Sequence, residues 1–125
     1  MNEISTIKEQ EIKNKISNYI YEHNDVTFIE IEHIFDELGY CYKDNSTIWV
    51  KSESNIVIWD GWTPKAFNLV KELITDEKRK ITVKSVDQLI YFIDGYALNL
   101  PIATSIDKKY KKPHWLPLVF IKEDV

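Results

Sequence analysis

The sequence predicts a single α+β domain of three helices and two antiparallel β-hairpins, and three local signals carry that prediction. Residues 55 to 75 read as an apolar strand, a glycine turn and a capped amphipathic helix. Thr27 and Glu30 form a capping box ahead of a second amphipathic run. Asp94-Gly95, set between two apolar runs, has the composition of a type I′ hairpin turn.

Thr6 and Glu9 make a T-x-x-E capping box that would open a first helix near 7 to 23, with Ile12, Ile16, Tyr19 and Ile20 as a narrow apolar stripe. Ile4 and Ile7 lie off that stripe, and Asn24 is the expected stop. The second helix is expected near 28 to 38. Val26 and Ile31 stand as a hydrophobic staple, Phe28, Ile31, Ile34, Phe35 and Leu38 face one way, and Gly39 supplies a left-handed terminator. Asp44, Asn45 and Ser46 then lead to a strand near 47 to 51, a turn over 52 to 54 and a returning strand near 56 to 60. Its consecutive Ile56, Val57, Ile58 and Trp59 suit a strand covered on both faces.

Thr63 before Pro64 joins an N-cap hydroxyl to a residue whose fixed φ suits the first helical turn, so the third helix should span 64 to 75. Its stripe of Ala66, Phe67, Val70, Leu73 and Ile74 is expected to pack on Phe35, Leu38 and the strand before it. Residues 76 to 80 are too charged to bury. A strand near 81 to 85 follows, then a hairpin of strands near 89 to 93 and 96 to 100 about Asp94-Gly95, stopped by Pro101. Residues 115 to 121 read as a last edge strand interrupted by Pro117.

With 125 residues the chain can bury roughly two thirds of its unfolded surface in one core. Cys41 is the sole cysteine, which excludes an intrachain disulfide and a cysteine-built zinc cage. There is no signal-peptide pattern and no apolar run near the roughly 18 to 20 residues a membrane span needs, so a soluble cytoplasmic protein with no membrane partner is expected. His23, His33 and His114 form no metal-ligand spacing, no G-x-S-x-G is present, and three glycines make no phosphate-cradling loop. No metal, no cofactor and no enzymatic activity are expected.

Charge divides the chain. Residues 1 to 62 carry twelve Asp/Glu against five Lys, a net of −7, and residues 63 to 125 carry eight Asp/Glu against eleven Lys/Arg, a net of +3. Two clusters make a basic patch: Lys78, Arg79, Lys80 and Lys84 after the third helix, and Lys108, Lys109, Lys111 and Lys112 around Tyr110. They have the composition to track a phosphate backbone, with Tyr110 or His114 adding stacking. The competing reading is structural: cations at a helix C-terminus oppose its dipole, and lysines before an edge strand discourage aggregation. Glu30, Asp36 and Glu37 give the second helix an acidic face suited to a cationic groove on a partner, or simply to water. Trp62, polar-flanked at the turn, is the candidate exposed aromatic anchor. Arg79 is the lone arginine beside fifteen lysines, so bidentate readout of guanine is almost unavailable.

In ISNYIYEHNDVTFIEIEHIFDELGY and PKAFNLVKELITDEKRKITVKSVDQLIYFID the order of elements resembles the winged helix-turn-helix class. The resemblance implies a recognition helix at 64 to 75 and a wing across 84 to 88. One departure stands out: the hairpin from 46 to 59 separates two helices that a short turn should join. NIVIWDGW, YFIDG and YKKPHWLPLVF look like small accessory proteins of phages and mobile elements of low-GC Gram-positive bacteria. That likeness implies either inhibition of a host defence protein or protein–nucleic acid complex, as anti-CRISPR proteins do, or transcriptional control by direct DNA binding. The net negative charge and the single arginine favour a protein partner over a nucleic acid.

Overall fold

The computed structural model describes residues 3–50 and 54–123, with the side chains of residues 3–7 outside that description. Among the described residues four helices and five strands are formed: α1 (Glu3–Glu22), α2 (Phe28–Glu37), β1 (Lys43–Trp49), β2 (Ile56–Trp62), α3 (Pro64–Thr75), β3 (Ile81–Ser85), α4 (Leu89–Asp94), β4 (His114–Trp115) and β5 (Leu118–Lys122). Two small sheets result. One has the order β1-β2-β4 and the other pairs β3 with β5.

The strongest local signals act as read. The Thr27 hydroxyl accepts from the Glu30 N–H at 3.2 Å, and the Glu30 carboxylate accepts from the Thr27 N–H at 3.3 Å, closing the capping box. At the other end of α2, Gly39 sits at φ 67 while Tyr40 N–H reaches the Phe35 carbonyl and Gly39 N–H the Asp36 carbonyl. This is a Schellman closure, completed by the Phe35 and Tyr40 rings 5.0 Å apart. Thr63 caps α3 by accepting from Ala66 N–H at 3.0 Å. β1 and β2 form the expected antiparallel hairpin, with residues 52 and 53 of its turn outside the described residues.

Phe28, the first residue of α2, is the centre of the core. Its ring stacks on Trp59 at 5.6 Å and meets Trp62 and Phe120 edge-on at 5.3 and 5.2 Å, so one side chain ties α2 to both sheets. β2 is the middle strand, with Ile56, Val57 and Trp59 all buried. Pro117 is where the last segment changes sheets: Leu116 N–H bonds to Val57 O of the first sheet, and Pro117 O accepts from Val86 N–H beside the second.

Five expectations are corrected. Thr6 lies inside α1, which already includes Glu3, so it is not the N-cap position. The left-handed residue after α1 is Asp25, at φ 57, and not Asn24. On α3 the buried residues are Ala66, Leu69, Val70 and Leu73, and Phe67 and Ile74 are half-buried. The helix rests on α1 and β3.

The largest correction is α4, which replaces the strand expected near 89 to 93. Its Gly95 is indeed left-handed, at φ 105, but it ends a helix: Gly95 N–H bonds to Tyr91 O and Phe92 O, and Tyr96 N–H to Tyr91 O. Residues 96 to 100 are accordingly not a strand, and pairing resumes only at Ile102, against Trp115. Asp-Gly supplies a positive φ to either a hairpin or a helix stop, and five apolar residues fit either element. Long-range bonding decides here. The buried Tyr91 hydroxyl accepts from Phe28 N–H at 3.2 Å and donates to Leu118 O at 2.6 Å, anchoring α4 over the junction of α2 and β5. β3 therefore takes β5 as its partner, and the second strand of a wing at 84 to 88 does not form. The fifth correction, at Trp62, belongs to the site.

Candidate functional site, an acidic and aromatic cleft

Trp62 is 0% exposed, and its indole N–H donates to Glu32 Oε2 at 2.8 Å. It is a core residue and not an exposed anchor. Trp59, 1% exposed, donates to the same oxygen at 2.9 Å. One carboxylate on α2 thus satisfies two buried indoles on β2, a pairing invisible at a separation of some 30 residues. The exposed tryptophan is Trp49, at 38%.

Beside this pair the surface opens. A depression of about 440 Å³ is bounded by Thr47, Trp49, Val57, Asp60, Tyr96 and Leu98 among others. A second of about 340 Å³ is bounded by Glu32, Tyr42, Lys43, Asp44, Trp59, Asp60, Gly61 and Tyr96. Asp60 and Tyr96 line both, so the two depressions adjoin at these residues and together make the cleft. Each volume lies in the range of roughly 300–1,000 Å³ typical of ligand sites. Tyr96 stands as one wall, edge-on to Trp59 at 5.7 Å.

The electrostatics of the cleft are negative. Burial pushes the Asp60 carboxyl above its ordinary pKa. Tyr42 is pushed up to about 12, first by burial and then by Glu32 and Asp36. Tyr96 is also raised, by burial and then by Asp60 and Glu32. The phenols therefore stay neutral, while the carboxylates gain from any cation that enters; Lys43 is the one cationic side chain among the residues bounding the two depressions.

A raised folded-state pKa at Asp60 means that its proton is held more tightly folded than unfolded. The stability this gives is present at acid pH and is lost as pH rises through the folded pKa. Asp60→Asn is accordingly expected to match the wild type in urea denaturation at acid pH and to become the more stable of the two as pH rises towards neutral. A constant difference across pH would contradict it.

The residues singled out in the sequence are distributed differently. Glu30 is engaged internally, as half of the capping box and as acceptor of the Tyr19 hydroxyl; that bond, with burial second, raises Tyr19 to about 12. Asp36 and Glu37 remain exposed, with a long 3.5 Å contact from the Tyr42 hydroxyl to Asp36. Among the basic residues, Arg79 is committed to structure: its guanidinium donates to Asn14 and Ser17 of α1 and pairs with Asp76 at 3.3 Å. Lys84 pairs with Asp25 at 3.0 Å. Lys78, Lys80 and Lys84 are exposed.

The second cluster does project. Lys108, Lys109, Lys111 and Lys112 are exposed on a loop built around Tyr110, whose hydroxyl accepts from Thr104 N–H at 3.0 Å. That bonding from Thr104 holds the Tyr110 phenol below its ordinary pKa. Tyr110 and His114 stack on each other at 3.9 Å and 17°, which covers one face of each ring.

Among the described residues no group of three or more His, Cys, Asp and Glu is placed to hold a metal ion, and no helix is long and apolar enough to cross a membrane. Cys41 is free and exposed. Sequence reasoning missed the cleft, although one signal was present: Asp60 is a lone carboxylate between Trp59 and Trp62 in a strand otherwise reading as buried. No protein-family model, curated protein or solved structure matches the chain.

Proposed function

We propose that this protein works by non-enzymatic association and that its cleft receives a lysine or arginine side chain from a partner protein. The observation that carries this reading is Asp60, a partly buried carboxyl shared by both halves of a cleft walled by Trp49 and Tyr96. A cation there gains Coulomb attraction in a site of reduced dielectric and contact with aromatic faces, each stronger when water is displaced. Proteins that handle nucleic acids are rich in exposed cations, so the reading fits an accessory protein of a phage or mobile element that blocks a host defence protein or protein–nucleic acid complex, in the manner of an anti-CRISPR protein. Asp36 and Glu37 extend the negative field for steering.

A second reading is direct DNA binding by a winged-helix-like regulator. The exposed lysines at 108, 109, 111 and 112 favour it. The engagement of Arg79 and Lys84 by structural partners favours the first.

Titration of ¹⁵N-labelled protein with an Arg-Gly-Arg peptide tests the cleft. The Trp49, Trp59 and Trp62 indole signals and the Asp60 and Tyr96 amides are expected to shift together and saturate, and Asp60→Asn to abolish the response. Shifts absent from these residues would remove the cleft from the function.

A further inference from the structure

α4 has six residues and buries fully only one of them, Tyr91. Leu89, Phe92, Ile93 and Tyr96 are instead 61, 57, 82 and 54% exposed. Leu89, Phe92 and Ile93 stand at i, i+3 and i+4, the spacing of an amphipathic helix contact, here turned towards solvent, and Tyr96, beyond the left-handed Gly95 that ends the helix, adds a fourth exposed ring. Four large apolar side chains in one exposed row are uncommon on a surface with no binding role. Nor is the row a frayed end. Tyr91 fixes the middle of α4 through two hydrogen bonds, and the Thr27 hydroxyl bonds to Asp94 at its end, so the backbone under the row is held in place.

Charge narrows what can cover this row. Asp87 is exposed just before α4, Asp94 closes it, and at the Tyr96 end the row runs directly into the cleft of Asp60 and Glu32. The nearest chain cation in sequence, Lys84, is already paired with Asp25. A second copy of this protein would bring the same carboxylates against themselves, and a phosphate-rich surface would meet them with like charge. The occupant that satisfies both features carries an apolar stripe flanked by positive charge. A short apolar helical ridge of this kind packs into the groove of another helix.

We infer that the row Leu89, Phe92, Ile93 and Tyr96 docks an amphipathic helix of a partner protein, apolar on one face and lysine- or arginine-flanked, whose cationic side chain enters the adjoining Asp60 cleft. This rests on the reading of the cleft as a cation site and adds to it the conformation and the apolar half of the ligand.

The probe is a synthetic 18-residue peptide of leucine and lysine with leucines at helical spacing, compared with the same composition in scrambled order and with a leucine–glutamate version. Binding is read by anisotropy and helix formation by circular dichroism. The expected result is that the patterned basic peptide binds and becomes helical, the scrambled and acidic peptides bind at least tenfold more weakly, and Ile93→Ser and Phe92→Ser each weaken binding about tenfold. Both positions are more than half exposed, so these variants should retain the wild-type melting transition, which is checked in parallel. Equal binding of patterned and scrambled peptides, or binding unaffected by Ile93→Ser but lost in Asp60→Asn, overturns the helix proposal and leaves the cation cleft standing. Loss with Ile93→Ser but no effect of Asp60→Asn keeps the apolar dock and overturns the cleft. Absence of binding by every peptide overturns the docking proposal. Self-association removed by Ile93→Ser, or binding to vesicles of anionic lipid, overturns it in favour of a second copy or a lipid surface.

Discussion

Val70→Asp protein is expected to show no cooperative melting transition. Val70 is 1% exposed on the inner side of α3, within the cluster that joins that helix to α1, α2 and both sheets. A carboxylate placed there has neither water nor a cation, and removing an ion from solvent without a partner costs several kcal/mol even after relaxation. Against a total stability of about 5–15 kcal/mol, that single change is enough to unfold the domain. Thermal melts followed by circular dichroism check it, with Lys71→Asp, one residue away and exposed, as the control that should melt near the wild type. A soluble Val70→Asp protein with a wild-type transition would mean that the α3 stripe is not core.

The next largest effect is expected at Glu32. Replacing it by alanine strands the indole N–H groups of Trp59 and Trp62, both essentially without solvent exposure. At about 1–3 kcal/mol for each buried donor left unsatisfied, Glu32→Ala should lose about 2–6 kcal/mol. In a domain of this size that corresponds to a melting temperature lower by roughly 10 °C or more. Glu32→Gln keeps an oxygen acceptor and should recover most of the loss. Urea denaturation of the two variants separates the outcomes, and an alanine variant as stable as the glutamine one would show that the indole bonds contribute little.

These two residues also mark what the sequence could and could not reveal. Val70 was legible because its surroundings are local: Thr63 and Pro64 start the helix, and apolar residues at three- and four-residue spacing give the inward face. The same locality made the α2 cap and the β1–β2 hairpin readable. The role of Glu32 is not legible locally, because its two partners lie on another element. The partners of Arg79 and Lys84 are hidden for the same reason, since Ser17, Asn14 and Asp25 reach them only through the tertiary fold.

α4 failed differently. Both candidate elements require the left-handed residue that Gly95 provides, and the five apolar residues before it carry no decisive period. The buried bonds of Tyr91 select the helix, and with it the exposed row and the wall formed by Tyr96. The cleft was hidden by this error, because a strand at 96 to 100 would have left Tyr96 in a sheet.

In the proposed function a cationic protein segment, and not nucleic acid, enters the Asp60 cleft. Its most direct test is fluorescence anisotropy near physiological salt with two labelled probes, an arginine- and lysine-rich peptide and a duplex DNA, against wild type, Asp60→Lys, and a variant with Lys108, Lys109, Lys111 and Lys112 changed to glutamine. The expected result is that the peptide binds the wild type and the glutamine variant and fails to bind Asp60→Lys through like-charge repulsion, while DNA binds far more weakly throughout. Submicromolar DNA binding that disappears in the glutamine variant and survives Asp60→Lys would contradict it.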